Sequence, residues 1–109
     1  MTELYKTRFP GRTVWCRKDT DLWHKEDGPA VEWDSGTKEW YQNGLCHRVD
    51  GPAVEDIVGN KFWYQNGQRH REDGPAIEYE NGNKYYYLND ECYPNIKTNE
   101  EWVIFQIIN

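Results

Sequence analysis

The sequence predicts an all-β protein: a repeat array of β-hairpins laid into a single twisted sheet, with a short C-terminal helix as its cap. Three observations predict it. The chain repeats itself every 23 residues; each repeat alternates apolar and polar residues at the period of a strand; and Gly or Asn-Gly pairs interrupt that alternation every few residues. The 109 residues are enough for one domain.

The period is read from His24, His47 and His70, and from Asp27-Gly28-Pro29-Ala30, Asp50-Gly51-Pro52-Ala53 and Asp73-Gly74-Pro75-Ala76. Val31-Glu32, Val54-Glu55 and Ile77-Glu78 follow, then Gly36, Gly59 and Gly82, then Lys38, Lys61 and Lys84. The pairs Trp40-Tyr41, Trp63-Tyr64 and Tyr86-Tyr87 precede turns at Asn43-Gly44, Asn66-Gly67 and Asn89-Asp90. An incomplete copy comes first, with Gly11, Trp15 and His24 in the places of Gly36, Trp40 and His47. The repeat region is thus 1–93, in units of about 11–30, 31–53, 54–76 and 77–93, and 94–109 is a separate capping segment.

Within a unit, Ala30–Trp33 and Lys38–Gln42 read as strands joined at Asp34-Ser35-Gly36. Glycine in third place suits a type I turn closed by a left-handed residue. That turn sets a register in which Glu32 faces Lys38, Glu55 faces Lys61 and Glu78 faces Lys84, while Ala30, Ala53 and Ala76 face Trp40, Trp63 and Tyr86. Opposite charges directly across a strand pair contribute roughly 0.2 to 1 kcal/mol each. In the tail, Thr98 and Glu101 form a capping-box pattern ahead of Trp102–Ile108, which predicts a helix, with Trp102 and Phe105 as its buried anchors. A strand is the alternative, because Val103, Ile104, Phe105, Ile107 and Ile108 all favour one.

Composition narrows the function classes. A formal charge of −6 leaves no basic excess to displace counterions from phosphates, which weighs against nucleic acid and anionic membranes as partners. Only 37% of residues are hydrophobic, yet 16% are aromatic, so ring packing takes the place of an aliphatic core. The polar segment 1–12 lacks the apolar run of a signal peptide, and the expected location is cytoplasmic. Cys16, Cys46 and Cys92 form an odd set without a C-x-x-C spacing, as reduced thiols would.

The segment Trp-Tyr-Gln-Asn-Gly-Leu-Cys-His-Arg-Val-Asp-Gly-Pro-Ala (40–53) resembles a MORN repeat, in its His-Arg-x-Asp-Gly-Pro-Ala variant, and the resemblance extends over about residues 11–93. It implies hairpins stacked into an elongated sheet with a groove along one face, serving as a scaffold or binding surface. It also implies kinship with small bacterial, phage and large-virus proteins. Lys25, Arg48 and Arg71 stand where the standard motif has Gly.

The chemistry of the repeated residues points away from catalysis. Equivalent histidines two strands apart lie roughly 9.6 Å from one another, too far to share a zinc ion. Cys46 sits beside His47 and would point to the opposite face, so the pair does not read as a nucleophile and its base. The His and Asp of each unit are expected to brace the Asp-Gly-Pro turn, with Asp capping backbone amides. No cofactor, metal or catalytic residue is predicted. The candidate binding residues are Trp40, Tyr41, Trp63, Tyr64, Tyr86 and Tyr87, in two columns, with His47, Arg48, His70 and Arg71 beside them. The function expected is a non-enzymatic module that binds another protein, such as a phage or bacterial accessory or inhibitory protein. A pocket for a small anionic or nucleotide-like ligand is the alternative, and an acidic mimic of nucleic acid is a third.

Overall fold

The computed structural model describes residues 2–109. In chain order the strands are β1 (Leu4–Phe9), β2 (Arg12–Arg17), β3 (Val31–Trp33), β4 (Lys38–Glu39), β5 (Tyr41–Gln42), β6 (Leu45–Cys46), β7 (Val54–Glu55), β8 (Lys61–Phe62), β9 (Tyr64–Gln65), β10 (Gln68–Arg69), β11 (Ile77–Glu78), β12 (Lys84–Tyr85), β13 (Tyr87–Leu88) and β14 (Glu91–Cys92). Helix α1 (Asn99–Ile108) closes the chain. One antiparallel sheet of eight strands runs β1-β2-β3-β4-β7-β8-β11-β12, and β5-β6, β9-β10 and β13-β14 form three further hairpins.

The register follows the turns. Gly36, Gly59 and Gly82 have φ of 101°, 114° and 94°, the left-handed conformation that glycine adopts without a Cβ clash. Glu32 pairs with Lys38, Glu55 with Lys61 and Glu78 with Lys84 within units; Lys38 also pairs with Glu55, and Lys61 with Glu78, between units. The row Glu32-Lys38-Glu55-Lys61-Glu78-Lys84 therefore alternates in charge across six strands. One residue along, Val31, Glu39, Val54, Phe62, Ile77 and Tyr85 form the row on the opposite face. Phe62, Tyr79 and Tyr85 meet edge to face at 5.9 Å between ring centres.

The unit divides at its tryptophan, which the sequence reading did not separate. Trp40 N–H donates to Ala53 O and Trp63 N–H to Ala76 O, both at 2.7 Å, as Trp15 N–H does to Ala30 O. Each large residue is thus bonded to the alanine of the next Asp-Gly-Pro-Ala segment along the chain. The chain then leaves the eight-stranded sheet and turns at Asn43-Gly44, Asn66-Gly67 or Asn89-Asp90, where both central residues have positive φ, as the tightest hairpin turn requires. Gly44 N–H bonds Trp23 O, Gly67 N–H bonds Cys46 O and Asp90 N–H bonds Arg69 O, at 2.8 to 2.9 Å, so a second row of hairpins is stitched unit to unit beside the first.

Ala30, Ala53, Ala76, Val14 and Val31 have no exposure, nor does Trp102. The tail is a helix, as the capping pattern predicts: Thr98 Oγ1 accepts from Glu101 N–H at 3.1 Å, and Glu101 Oε1 accepts from Thr98 Oγ1 and Lys97 N–H at 3.2 Å. Trp102 is one of the expected anchors. Phe105 is only half-buried, stacked on Trp102 at 5.9 Å and resting on Tyr93 at 4.9 Å between ring centres. Val103, Ile104, Ile107 and Ile108 face outward. No helix among the described residues is long and apolar enough to cross a membrane.

Candidate functional site

The repeated polar residues converge on the side of the array where the Asp-Gly-Pro turns stand. His24 Nδ1 accepts from Asn43 N–H, His47 Nδ1 from Asn66 N–H and His70 Nδ1 from Asn89 N–H, at 2.9 to 3.1 Å. Each histidine therefore braces the hairpin turn of the following unit, and the expected bracing of the Asp-Gly-Pro turn falls to other residues. An accepting Nδ1 puts the imidazole proton on Nε2. That N–H meets Glu26 at 3.1 Å from His24 and Glu72 at 3.2 Å from His70. The corresponding residue beside His47 is Val49, 75% exposed, so His47 Nε2 is left without a protein partner among the described residues.

The Asp-Gly-Pro turns are held by the cation after each histidine. Arg48 Nε donates to Asp50 Oδ1 at 3.1 Å and its Nη1 to Pro52 O at 3.0 Å; Arg71 does the same to Asp73 and Pro75, at 2.8 and 3.1 Å. Both guanidiniums lie 3.9 Å from the ring centres of Trp40 and Trp63, and Lys25 sits 4.7 Å from that of Trp15. The expected capping of backbone amides by Asp is replaced by these ion pairs, since an arginine within reach offers the carboxylate a charged donor.

Between units the surface forms two grooves. One, of about 760 Å³, has Trp40, His47, Val49, Leu45, Glu26 and Asp50 among its walls; the next, of about 600 Å³, has Trp63, His70, Val49, Asp50, Glu72 and Asp73. The carboxylates of Asp27, Asp50 and Asp73 are 81 to 87% exposed beside them. The grooves bring together Trp40, Trp63, His47, Arg48, His70 and Arg71 of the sequence candidates. Tyr86 lies in the core under Trp102, at 5.4 Å between ring centres. Tyr41, Tyr64 and Tyr87 are half-buried in the second row, where Tyr41 packs edge-on against Trp23 and Arg69 covers Tyr87. Burial pushes the Tyr41 and Tyr64 hydroxyls up, Tyr41 further through its bond to Glu39.

The sequence candidates omit Val49. Its signal was available: Glu26 and Glu72 flank it one period away on either side. Cys46 is half-buried, and burial pushes its thiol up to about 12, so it stays protonated at neutral pH. No three of the described His, Cys, Asp or Glu side chains are grouped to hold a metal ion. Comparison with known proteins finds no family model, no curated protein and no solved structure that matches this chain.

Proposed function

We propose that this protein is a non-enzymatic binding module whose grooves hold an extended, basic segment of a partner protein. The observation that carries the reading is the disposition of charge: Asp27, Asp50 and Asp73 stand exposed in series, whereas Arg48 and Arg71 are folded back onto tryptophan faces and turn carbonyls. Each arginine is held by a ring, a turn carbonyl and one Asp oxygen, while the carboxylates of Asp50 and Asp73, paired through Oδ1, still stand 81 and 86% exposed. A small anionic or nucleotide-like ligand would meet those carboxylates first, which favours a cationic partner over it.

Spacing supports an extended segment. Units advance by two strands, roughly 9.6 Å, and a polyproline-type chain brings every third residue to one face at about 9.3 Å. Lysine or arginine at every third position would meet successive Asp carboxylates, while His47 Nε2–H offers a donor and Val49 and Trp40 an apolar contact between them. The MORN-like pattern of the repeats agrees with a scaffold role.

A test uses two probes, a Lys-Pro-Pro repeat peptide and an adenine nucleotide, read by tryptophan fluorescence. The peptide should quench Trp40 and Trp63 in a salt-sensitive manner, and the triple variant Asp27→Asn, Asp50→Asn, Asp73→Asn should lose the response. Saturable quenching by the nucleotide without any by the peptide would replace this reading with the anionic-ligand one.

A further inference from the structure

The array ends at a sheet edge that its own pattern leaves incomplete. Lys38-Glu39 of β4 is covered by Val54-Glu55 of β7, and Lys61-Phe62 of β8 by Ile77-Glu78 of β11. Lys84-Tyr85 of β12 is the next member of this series and the last strand of the eight, with β11 on one side and, among the described residues, no strand on the other. Both residues are exposed. The missing backbone bond can be named. Trp40 N–H and Trp63 N–H each bond the alanine carbonyl of the next Asp-Gly-Pro-Ala segment, whereas Tyr86 N–H has no acceptor among the described residues. Helix α1 covers the Tyr86 ring through Trp102 and takes its hydroxyl at Asn99 Oδ1, 2.9 Å, but supplies no strand.

We propose that the β12 edge receives a strand from a partner protein, antiparallel, with an acidic residue opposite Lys84 and a β-branched residue opposite Tyr85. The inner units define that partner, because each Lys in the row is flanked by Glu on both sides and Lys84 has Glu78 on one side alone. Opposite charges directly across strands favour pairing, and like charges oppose it. A second copy of this chain does not meet the requirement. Its β12 offers only Lys84 and Tyr85 and no acidic residue to set opposite Lys84, and its other free edge, β1, carries exposed Lys6 and Arg8. Two cationic edges resist self-association, as protected sheet edges do, and leave this one open to an acidic strand. The inference is independent of the groove, which lies on the side of the Asp-Gly-Pro turns.

The experiment titrates the full chain with the peptide Gly-Pro-Ala-Ile-Glu-Tyr-Glu-Asn, which copies residues 74–81, and with a counterpart carrying Lys for the first Glu. Amide shifts are followed by NMR, and affinity by fluorescence anisotropy. The acidic peptide should move the signals of Lys84, Tyr85 and Tyr86. Lys84→Glu should bind it about tenfold more weakly and prefer the Lys peptide by a similar factor. Should Lys84→Glu fail to fold, Lys84→Met, which leaves Glu78 without a like charge opposite, is expected to lose the preference between the two peptides. No binding up to about 1 mM, shifts confined to other residues, equal affinity for both peptides, or a dimer formed through β12 would each overturn the proposal.

Discussion

His47 Nδ1 accepts the backbone N–H of Asn66 at 2.9 Å, across 19 residues of sequence, and so fastens one repeat to the turn of the next. His24 and His70 make the same bond to Asn43 and Asn89. A turn whose central residues both have positive φ is costly to form alone, and an acceptor aimed at its first N–H offsets part of that cost.

Replacing His47 by Ala should therefore lower stability by about 1 kcal/mol, through one lost hydrogen bond to a hairpin turn. Hydrogen exchange separates this from a general loosening. The Asn66 amide should exchange faster while the Asn43 amide, still held by His24, keeps its protection.

The charge row makes a second prediction. Lys61 stands between Glu55 and Glu78, so Lys61→Glu sets three like charges in a line and should cost about 1 to 2 kcal/mol. Lys61→Met should cost less. Chemical denaturation at low and high salt tests the origin, because screening shrinks a repulsive penalty and leaves a packing defect unchanged.

These two features were unequally legible in the sequence. Glu32 opposite Lys38 followed from a three-residue glycine turn, since turn and register are local. Thr98 and Glu101 announced the helix for the same reason. The partner of His47 could not be read, because it lies in the next unit and depends on the second row of hairpins. That row exists because Trp40 bonds Ala53 and carries Tyr41 out of the first sheet, a consequence of packing between repeats. The groove is half legible: Trp40 and Trp63 stand out by repetition, whereas Val49 breaks the pattern and repetition does not point to it.

Acid should destabilise the protein in part through Asp56. Its Oδ1 accepts from the N–H groups of Val58, Gly59 and Asn60 at 2.9 to 3.1 Å, and its Oδ2 from the Asn60 side chain, which together hold the carboxyl below its ordinary 3.8. A carboxyl lowered on folding contributes stability in full above its unfolded value, and that contribution is lost as pH falls through the folded one. Wild type should accordingly lose stability on acidification below that ordinary value. Asp56→Ala should be less stable by about 1 kcal/mol at neutral pH and show a shallower acid limb in pH-dependent melting. An unchanged limb would assign acid sensitivity to other carboxylates, such as Asp34 beside Arg8.

Asp90 occupies the turn position that Gly44 and Gly67 fill in the earlier units, at φ 69°. A side chain there is strained, and the strain is offset because its Oδ1 accepts from Arg69 N–H at 2.8 Å and from Arg69 Nε at 3.2 Å. Asp90→Ala keeps the strain and loses both bonds, whereas Asp90→Gly loses the bonds and relieves the strain. Thermal melting should rank wild type above Gly or level with it, and Ala below both.

The last unit has no following repeat, and Trp102 takes the place of one. In the inner units Arg48 and Arg71 cover Trp40 and Trp63; over Tyr86 the corresponding cover is the Trp102 indole, which also meets Tyr93 at 5.5 Å. Its Nε1–H donates to Arg71 O at 2.9 Å and Gln106 Nε2 donates to Glu72 O at 2.7 Å, so the helix is tied to the turn of the preceding unit as well as to the rings. Removing a fully buried tryptophan costs about 3 to 5 kcal/mol, against roughly 5 to 15 kcal/mol for a whole domain, of which a thin array of this size holds the lower part. Trp102→Ala, or deletion after Asn95, should therefore yield an unfolded or aggregating product. Trp102→Phe keeps a ring and forfeits the bond to Arg71 O; it should fold and melt lower. A truncated chain that remains monomeric with unchanged melting would show that the repeats seal their own end, and the cap would lose its role.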